Sequence, residues 1–282
     1  MWPAPADLAA FVTSLHLYVV DDNGGAPNIG VFEPSFAALR IAVVGGDEWR
    51  VRWGSGPWAQ TGPVSLFGPT SRVVHSASAA GILLNGGLRP RGWMRLFGDP
   101  ASAWADRIGE VPHKPGAMLA NFRQSLDGIE RDDAVPEAYF SAIRAMLGPP
   151  SPEEGDIAAI EEALVDPAVQ SVARLCAITG LSIRRLQRLS NRAFGFPPKV
   201  LLRRARFLRS LNALRSVRRG EGALVIDPAY TDYSHFVRDA HDFLGSSPQA
   251  FVEQESPLLR KSIAMRTEVI GAPNQALDQV RD

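Results

Sequence analysis

The spacing of apolar residues changes character near residue 95. Before that point it is short and strand-like. Residues 15–20 (LHLYVV) form an apolar run that stops at Asp21-Asp22-Asn23-Gly24-Gly25, a turn-forming cluster. Trp49-Arg50-Val51-Arg52-Trp53 alternates apolar and charged residues, as a half-buried strand does. Residues 64–67, 72–75 and 82–84 add further candidate strands, with Gly and Pro between them. Several short strands punctuated by turns predict a small barrel or sandwich.

Beyond residue 95 the apolar repeat lengthens to the helical period. Asp99-Pro100 supplies an N-cap and a first-turn proline for a helix over 101–108. Met118, Leu119, Phe122, Leu126 and Ile129 share one helical face, and Tyr139, Phe140, Ile143 and Leu147 share another. Gly148-Pro149-Pro150 then marks a domain boundary. Ser151-Pro152-Glu153-Glu154 has capping-box spacing and opens a new helix. Val172, Leu175 and Cys176 form a stripe that Gly180 ends, which makes Cys176 a packing residue. Ser182 then caps a second stripe of Ile183, Leu186, Leu189 and Ala193. Helix, Gly-containing turn, helix is the helix-turn-helix pattern.

Phe196-Pro197-Pro198 breaks the chain, and 199–217 reads as one long helix with Val200, Phe207, Leu208, Leu211 and Leu214 as its apolar members. A second helix-turn-helix follows: a short helix over 223–226 ended by Asp227-Pro228, then a helix capped by Thr231, with Phe236, Ala240 and Phe243 inward. Gly245 closes it and Ser247-Pro248 starts a last short helix. After Lys261 the periodicity is weak. The pattern divides the chain into 1–150, β-rich and then helical, an all-α module over 151–260, and a disordered tail over 261–282. The fold class is α+β.

Composition narrows the function. The 282 residues carry 30 basic and 30 acidic side chains, and 45% are hydrophobic, as in a soluble globular protein. The single cysteine, Cys176, excludes an intrachain disulfide and a Cys-rich zinc site, which fits a reducing cytoplasmic setting. No apolar run approaches the roughly 18 residues of a membrane span. The neutral total hides an asymmetry: residues 171–220 hold 13 Lys or Arg and no Asp or Glu, whereas residues 1–150 hold 12 basic and 14 acidic. Such a stretch suits a polyanion. Off the buried stripe of the 183–193 helix lie Arg184, Arg185, Gln187, Arg188 and Arg192; Arg pairs bidentately with guanine, and Gln with adenine.

The residues of these units are recognisable as a set. Residues 230–238 (YTDYSHFVR), then Gly245-Ser246-Ser247-Pro248 and Phe251, resemble the second-motif signature of AraC/XylS-type transcription regulators. Residues 181–188 (LSIRRLQR), then Gly195 and Pro198, resemble the first motif. The resemblance covers roughly 155–256. It implies two helix-turn-helix units joined by a long helix, each docking one helix in successive major grooves. It places Arg184, Gln187 and Arg188, with Tyr233, Ser234, His235 and Arg238, against bases, and Arg185, Arg192, Arg203 and Arg204 against phosphates. Arg206 stands with Arg203 and Arg204 as a phosphate or linker residue. Ser190 and Ala240 replace the family's aromatics, Val225 its small residue and Ala229 its turn glycine; Asp232, Asp239 and Asp242 make the second unit the weaker reader. Residues 88–98 (LRPRGWMRLFG), then Pro100-Ala101 and Ala105-Asp106, are similar to a segment where a cupin-like barrel passes into helices in the sensory domains of such regulators. The implied partners are double-stranded DNA, a second copy of the chain, a small-molecule effector and RNA polymerase.

Two other readings compete. One is an enzyme: a metal-dependent cupin-type oxygenase or isomerase, or a DNA-repair methyltransferase. Against it, His16, His75 and His113 lack the spacing of a metal site, Cys176 lies on a packing stripe, and no Gly-rich phosphate loop or nucleophile arrangement appears. No catalytic residue, metal or cofactor is therefore assigned. Trp49, Trp53, Trp58 and Trp93 read as core before pocket lining. The other reading is a degenerate module that acts through protein contacts or non-specific DNA binding.

Overall fold

The computed structural model describes residues 1–45, 49–126, 134–220 and 224–278. Two antiparallel sheets form the first half. The larger, six-stranded sheet is built from β1 (Trp2–Pro3), β2 (Val12–Val20), β4 (Ala38–Val44), β7 (Val64–Phe67), β9 (Gly81–Leu88) and β10 (Ile108–Glu110), in the order β1-β2-β9-β4-β7-β10. The smaller contains β3 (Asn28–Phe32), β5 (Arg50–Trp53), β6 (Ala59–Gln60) and β8 (Val74–Ser78), in the order β3-β8-β5-β6. The expected strands at 15–20, 49–53, 64–67, 72–75 and 82–84 all fall within or beside these elements.

Side-chain alternation sorts the large sheet's two faces. Leu39, Ile41, Leu66 and Leu84 point outward into a core shared with α1 (Pro90–Leu96), α2 (His113–Ser125) and α3 (Ala134–Met146), where Trp93, Leu119, Phe122, Tyr139 and Ile143 are buried. At Gly86 the Tyr139 hydroxyl occupies the place of a Cβ, so only glycine admits this helix so close. The space between the sheets is thinner in apolar filling: Ala38, Val51, Phe67 and Val74 form its buried cluster.

Two helical expectations in this half are corrected. Residues 101–108 do not form one helix: a 3₁₀ turn over Ala101–Trp104 gives way to β10. Helix α1 starts at Pro90, earlier than the strand-to-helix change placed near 95, because Pro90 at its first turn pre-sets the helical φ. The face of Met118, Leu119, Phe122 and Leu126 is α2 and its C-cap, while Ile129 lies outside the described residues.

The second half comprises α4 (Glu154–Val165), α5 (Val172–Thr179), α6 (Ile183–Leu189), α7 (Pro198–Arg218), α8 (Tyr233–Leu244), α9 (Pro248–Glu253) and α10 (Pro257–Val269). Half of the capping box forms: the Ser151 amide donates to Glu154 Oε1 at 2.9 Å, but Ser151 Oγ accepts from Glu153 N–H at 3.3 Å, and Glu153 is the N-cap of α4. Residues 261–278 depart from the expected disordered tail. Ser256 caps α10 by accepting from Leu259 N–H, and Leu259, Ile263 and Arg266 turn inward on one face. The stripe reads as weak in the sequence because one of its three inward members is an arginine.

Gly148-Pro149-Pro150 separates α3 from α4 along the chain, yet the largest core cluster reaches back across it. Phe36 and Val73 pack with Leu186, Leu201, Phe207 and Phe243. Polar ties reinforce this. Arg204 donates to the carbonyls of Ser35 and Thr70, and Val73 N–H donates to the Phe243 carbonyl at 2.7 Å. Arg215 pairs with Glu33 and Glu255 at 2.6 Å each, and Arg89 pairs with Glu161 and Asp278 at 2.8 Å each, all of them buried.

Candidate nucleic-acid interface

Local chemistry sets each helix of the first unit. Ser171 Oγ accepts from Arg174 N–H at 3.1 Å to start α5, and Gly180, at φ +69°, ends it. Ser182 Oγ accepts from Arg185 N–H at 3.4 Å to start α6. The helix continues as a π-helical turn over Ser190–Phe194 and stops at Gly195, φ +84°. Leu175, Leu186, Leu189 and Ala193 are buried, as the stripes require. Ile183 differs: it is 47% exposed, because the first residue of α6 lies at the open edge of the turn. Cys176 is partly buried against the same core.

With that stripe fixed inward, Arg184, Arg185, Gln187 and Arg188 all face solvent. Arg184 and Gln187 make no side-chain hydrogen bond or ion pair among the described residues. Their neighbours are held. Arg188 Nη1 and Arg192 Nη1 meet the two carboxylate oxygens of Glu153 at 2.6 and 3.1 Å, and Arg185 Nε donates to Asp156 Oδ2 at 2.6 Å. Both acids lie at the start of α4, about 30 residues upstream, so the acid-free stretch 171–220 acquires counter-ions only on folding. Nothing in the local sequence marks them as partners.

The second unit is built differently from expectation. Leu224–Asp227 has no helix, and Ala223 lies outside the described residues. Four residues cannot offset helix nucleation, and Pro228 disfavours the helical region at Asp227. The segment is tied to α7 instead: Asp227 N–H donates to Ser210 Oγ at 2.9 Å, and Arg209 pairs with Asp227 at 2.6 Å. The cap of α8 is Asp232 and not Thr231, with Asp232 Oδ1 accepting from His235 N–H at 2.8 Å.

Along α8, Ser234 and Arg238 are exposed and without side-chain partners among the described residues. Tyr233 is half-buried against Phe236, with its hydroxyl enclosed, and burial raises its pKa. His235 Nε2 lies 3.2 Å from Arg206 Nη2 and must be the acceptor, since guanidinium only donates; its ring also meets Tyr230 edge-on. Asp239 is buried and accepts from Tyr230, Arg203 and Arg206, while Asp242 pairs with Arg203. Of the three acids expected to weaken this helix as a DNA reader, Asp239 and Asp242 hold arginines of α7 and Asp232 caps α8 itself.

Arg204 needs correction as a phosphate ligand, and Arg203 is engaged within the fold. Arg203 is one-third exposed, but Asp239 and Asp242 occupy its guanidinium. Arg204 is 2% exposed, spans to Ser35 and Thr70 in the other half of the chain, and has its pKa lowered by burial to about 10. It cannot reach DNA from this position. Of the two roles the sequence leaves open for it, phosphate contact and support of the linker helix, its place on the buried face of α7 fits the second. Arg174 and Lys199, exposed and without ion pairs among the described residues, are cations that motif reasoning did not single out.

Among the described residues no group of three His, Cys, Asp or Glu could hold a metal, and no helix is long and apolar enough to cross a membrane. Trp93 is core; Trp49 is buried at the rim of a cleft, and Trp58 is 40% exposed beneath Arg52.

No curated protein matches the chain in sequence. Among solved structures, ToxT from Vibrio cholerae O395 is similar over 88% of this chain and 99% of its own, at 10% identity and a TM-score of 0.44. A 1.65 Å structure of ToxT from Vibrio cholerae gives 86%, 98%, 11% and 0.47. Unsaturated-fatty-acid-bound wild-type ToxT from strain SCE256 gives 87%, 96%, 11% and 0.46. Residues 175–254 match the model of a helix-turn-helix domain family, and with the motif residues described above this makes the C-terminal module an AraC-type helix-turn-helix domain.

Proposed function

We propose that the protein is a sequence-specific DNA-binding transcription regulator that reads double-stranded DNA chiefly through α6. The observation that carries this is the exposed row of Arg184, Gln187 and Arg188 on a short helix whose opposite face buries Leu186 and Leu189. Arg and Gln at such positions supply the donor and acceptor patterns that discriminate guanine and adenine in the major groove. Arg185 and Arg192 flank the row as phosphate contacts. In the second unit Ser234 and Arg238 stand free to touch DNA, whereas Tyr233 and His235 are engaged in packing, so α8 sets register more than it reads bases.

Residues 1–150 form an effector-sensing or dimerisation unit and 151–260 the DNA-binding unit. Dimers would read paired half-sites and gain affinity through effective concentration. The protein acts in the cytoplasm, with RNA polymerase as a downstream partner. Selection from random duplex DNA, with affinities followed at several salt concentrations, tests this reading. An enriched site, one base of which relaxes in Arg188→Ala, is expected. Steeply salt-dependent binding with no enriched site, by both the full chain and residues 151–278, would replace it with the degenerate-module reading.

A further inference from the structure

We propose that the outer face of the small sheet, where it meets the end of α8, holds a binding site for a phosphate monoester with an apolar body. The site lies outside the space between the two sheets, and its lining includes none of the α6 row. It goes beyond the DNA-reading function and requires nothing of it.

Alternation sorts the small sheet's faces as it does those of the large one. Val51 and Val74 turn inward to the cluster between the sheets, so Arg52 and His75 turn outward. The register sets these two directly opposite each other, with Val31 of β3 opposite His75 on its other side. Arg72 lies two residues before β8. A cleft of about 690 Å³ opens over this face, within the size range of small-molecule sites. Its far wall is the end of α8 together with α9, where Phe243, Leu244 and Phe251 supply apolar surface. The Val73 amide, which donates to the Phe243 carbonyl, joins the two walls.

The charges of this cleft do not balance. Arg52, Arg72, His75 and His241 line it, and none of them makes a side-chain hydrogen bond or ion pair among the described residues. Arg52 Nε is closed to solvent and has no hydrogen-bond partner, while the Trp58 ring holds the guanidinium from one side at 4.9 Å. Burial and the charge of Arg52 keep the pKa of His75 below its ordinary value. Like charges directly across a sheet are destabilising. Asp242, the one acid of the lining among the described residues, already pairs with Arg203. The arginines of α6 provide the contrast, since Glu153 meets both Arg188 and Arg192. A guanidinium with an enclosed, open donor is costly until an anion completes it.

The donor set selects the anion. Two guanidinium groups and two imidazoles present donors from the sheet and from α8, more than the two oxygens of a carboxylate can use. A phosphate monoester carries three terminal oxygens and a charge of about −1.5 to −2 near neutral pH. A phosphodiester offers two free oxygens and a single charge, so the DNA backbone is the poorer match. The apolar wall selects an organic substituent over the bare ion. Ile29 of β3 belongs to the same lining, and it is 57% exposed, an apolar side chain that an organic body would cover.

Calorimetry of the full chain tests this with four probes: phenyl phosphate, inorganic phosphate, benzoate and benzyl alcohol. Phenyl phosphate is expected to bind at one site. The other three are expected to bind about ten- to hundredfold more weakly, since each lacks the body, the third oxygen or the charge. Arg52→Gln and Arg72→Gln should each weaken phenyl phosphate about tenfold or more. Arg72 is exposed and unbonded among the described residues, so Arg72→Gln should melt as wild type and reports on the site even where Arg52→Gln disturbs the sheet. Arg184→Ala should leave phenyl phosphate binding unchanged, and Arg72→Gln should keep the wild-type salt dependence on random duplex DNA. Any of the three other probes binding as tightly as phenyl phosphate, unaltered phenyl phosphate binding in Arg72→Gln, or no binding at all would each overturn the site. So would loss of phenyl phosphate binding in Arg184→Ala, which would place the probe on the basic stretch 171–220. A DNA salt slope reduced by about one in Arg72→Gln would assign the cleft to the DNA backbone and overturn it as well. The probe titrations use no DNA, so the site and the regulator reading fail separately.

Discussion

Arg204 separates two accounts of the long helix α7. If it were a phosphate ligand, Arg204→Ala would leave the fold intact and weaken binding to every DNA sequence. Its geometry says otherwise. Nη1 donates to the Ser35 carbonyl at 3.1 Å and the Thr70 carbonyl at 3.0 Å, with Phe36 and Phe196 facing the guanidinium at 5.4 and 5.9 Å. After truncation the Ser35 carbonyl keeps a donor, the Thr70 amide at 3.0 Å. The Thr70 carbonyl loses the partner that Arg204 supplies, and an unsatisfied buried acceptor costs about 1–3 kcal/mol. Lost packing of the stem adds about 1–2 kcal/mol. Release of a buried charge, whose cost is visible in the pKa lowered to about 10, offsets part of this. The net expectation is a loss of about 2–3 kcal/mol for Arg204→Ala, and about 1 kcal/mol for Arg204→Met, which keeps the stem and sheds the charge. Urea unfolding followed by circular dichroism reads the first quantity. DNA affinity against salt, measured where the variant is folded, reads the second, and its slope should match wild type. Wild-type stability together with a slope reduced by about one would refute the structural role and restore the phosphate contact.

Other outcomes follow from the same geometry. Arg188→Ala should cost about 1–3 kcal/mol on a selected site and relax preference at one base, as titration against single-base variants of that site would read out. Glu153→Gln frees Arg188 and Arg192, so DNA should bind roughly two- to fivefold more tightly with a steeper salt dependence; weaker binding would mean that Glu153 orients these arginines and does not compete for them. Gly195→Ala should destabilise by about 2 kcal/mol or more, since φ is +84° and the new methyl meets Pro69, whereas Gly180→Ala, at φ +69° with open space around it, should cost about 1 kcal/mol. His16 is buried beside Arg266, and both effects lower its pKa to about 3, far below its unfolded value. The unfolded chain therefore takes up a proton that the folded chain refuses, and stability contributed by neutral His16 is lost as pH falls below about 6.5, at up to about 1.4 kcal/mol per pH unit until about pH 3. His16→Gln should flatten stability against pH in that window by the difference; an unchanged profile would sink the assignment.

The local signals that were legible are those made by near neighbours in the chain. Ser171, Gly180, Ser182 and Gly195 define the first helix-turn-helix within 25 residues, because capping and left-handed turns are short-range chemistry. The buried stripe of Leu186, Leu189 and Ala193 then dictates that Arg184, Gln187 and Arg188 face out. The second unit was legible in its recognition helix. Its short first helix was not, because Asp227 finds its partners, Ser210 and Arg209, on α7.

What the sequence determined by itself is thus the class of the protein: a two-sheet first half, an α-helical C-terminal module, and a basic helix face suited to a major groove. Tertiary structure alone decided which charges are available. Glu153 and Asp156 reach the arginines of α6 from some 30 residues upstream, Asp239 turns inward to hold Arg203 and Arg206, and Arg204 leaves the surface for the other half of the chain. Strand register decided the rest. The strand that carries Arg40 is not among those the sequence marks, and pairing with β9 and β7 sets this residue beside Asn85 and Ser65, facing a cavity. Periodicity records which residues share a face. Which side chains a face meets depends on contacts between residues far apart in the chain, and no local spacing encodes those.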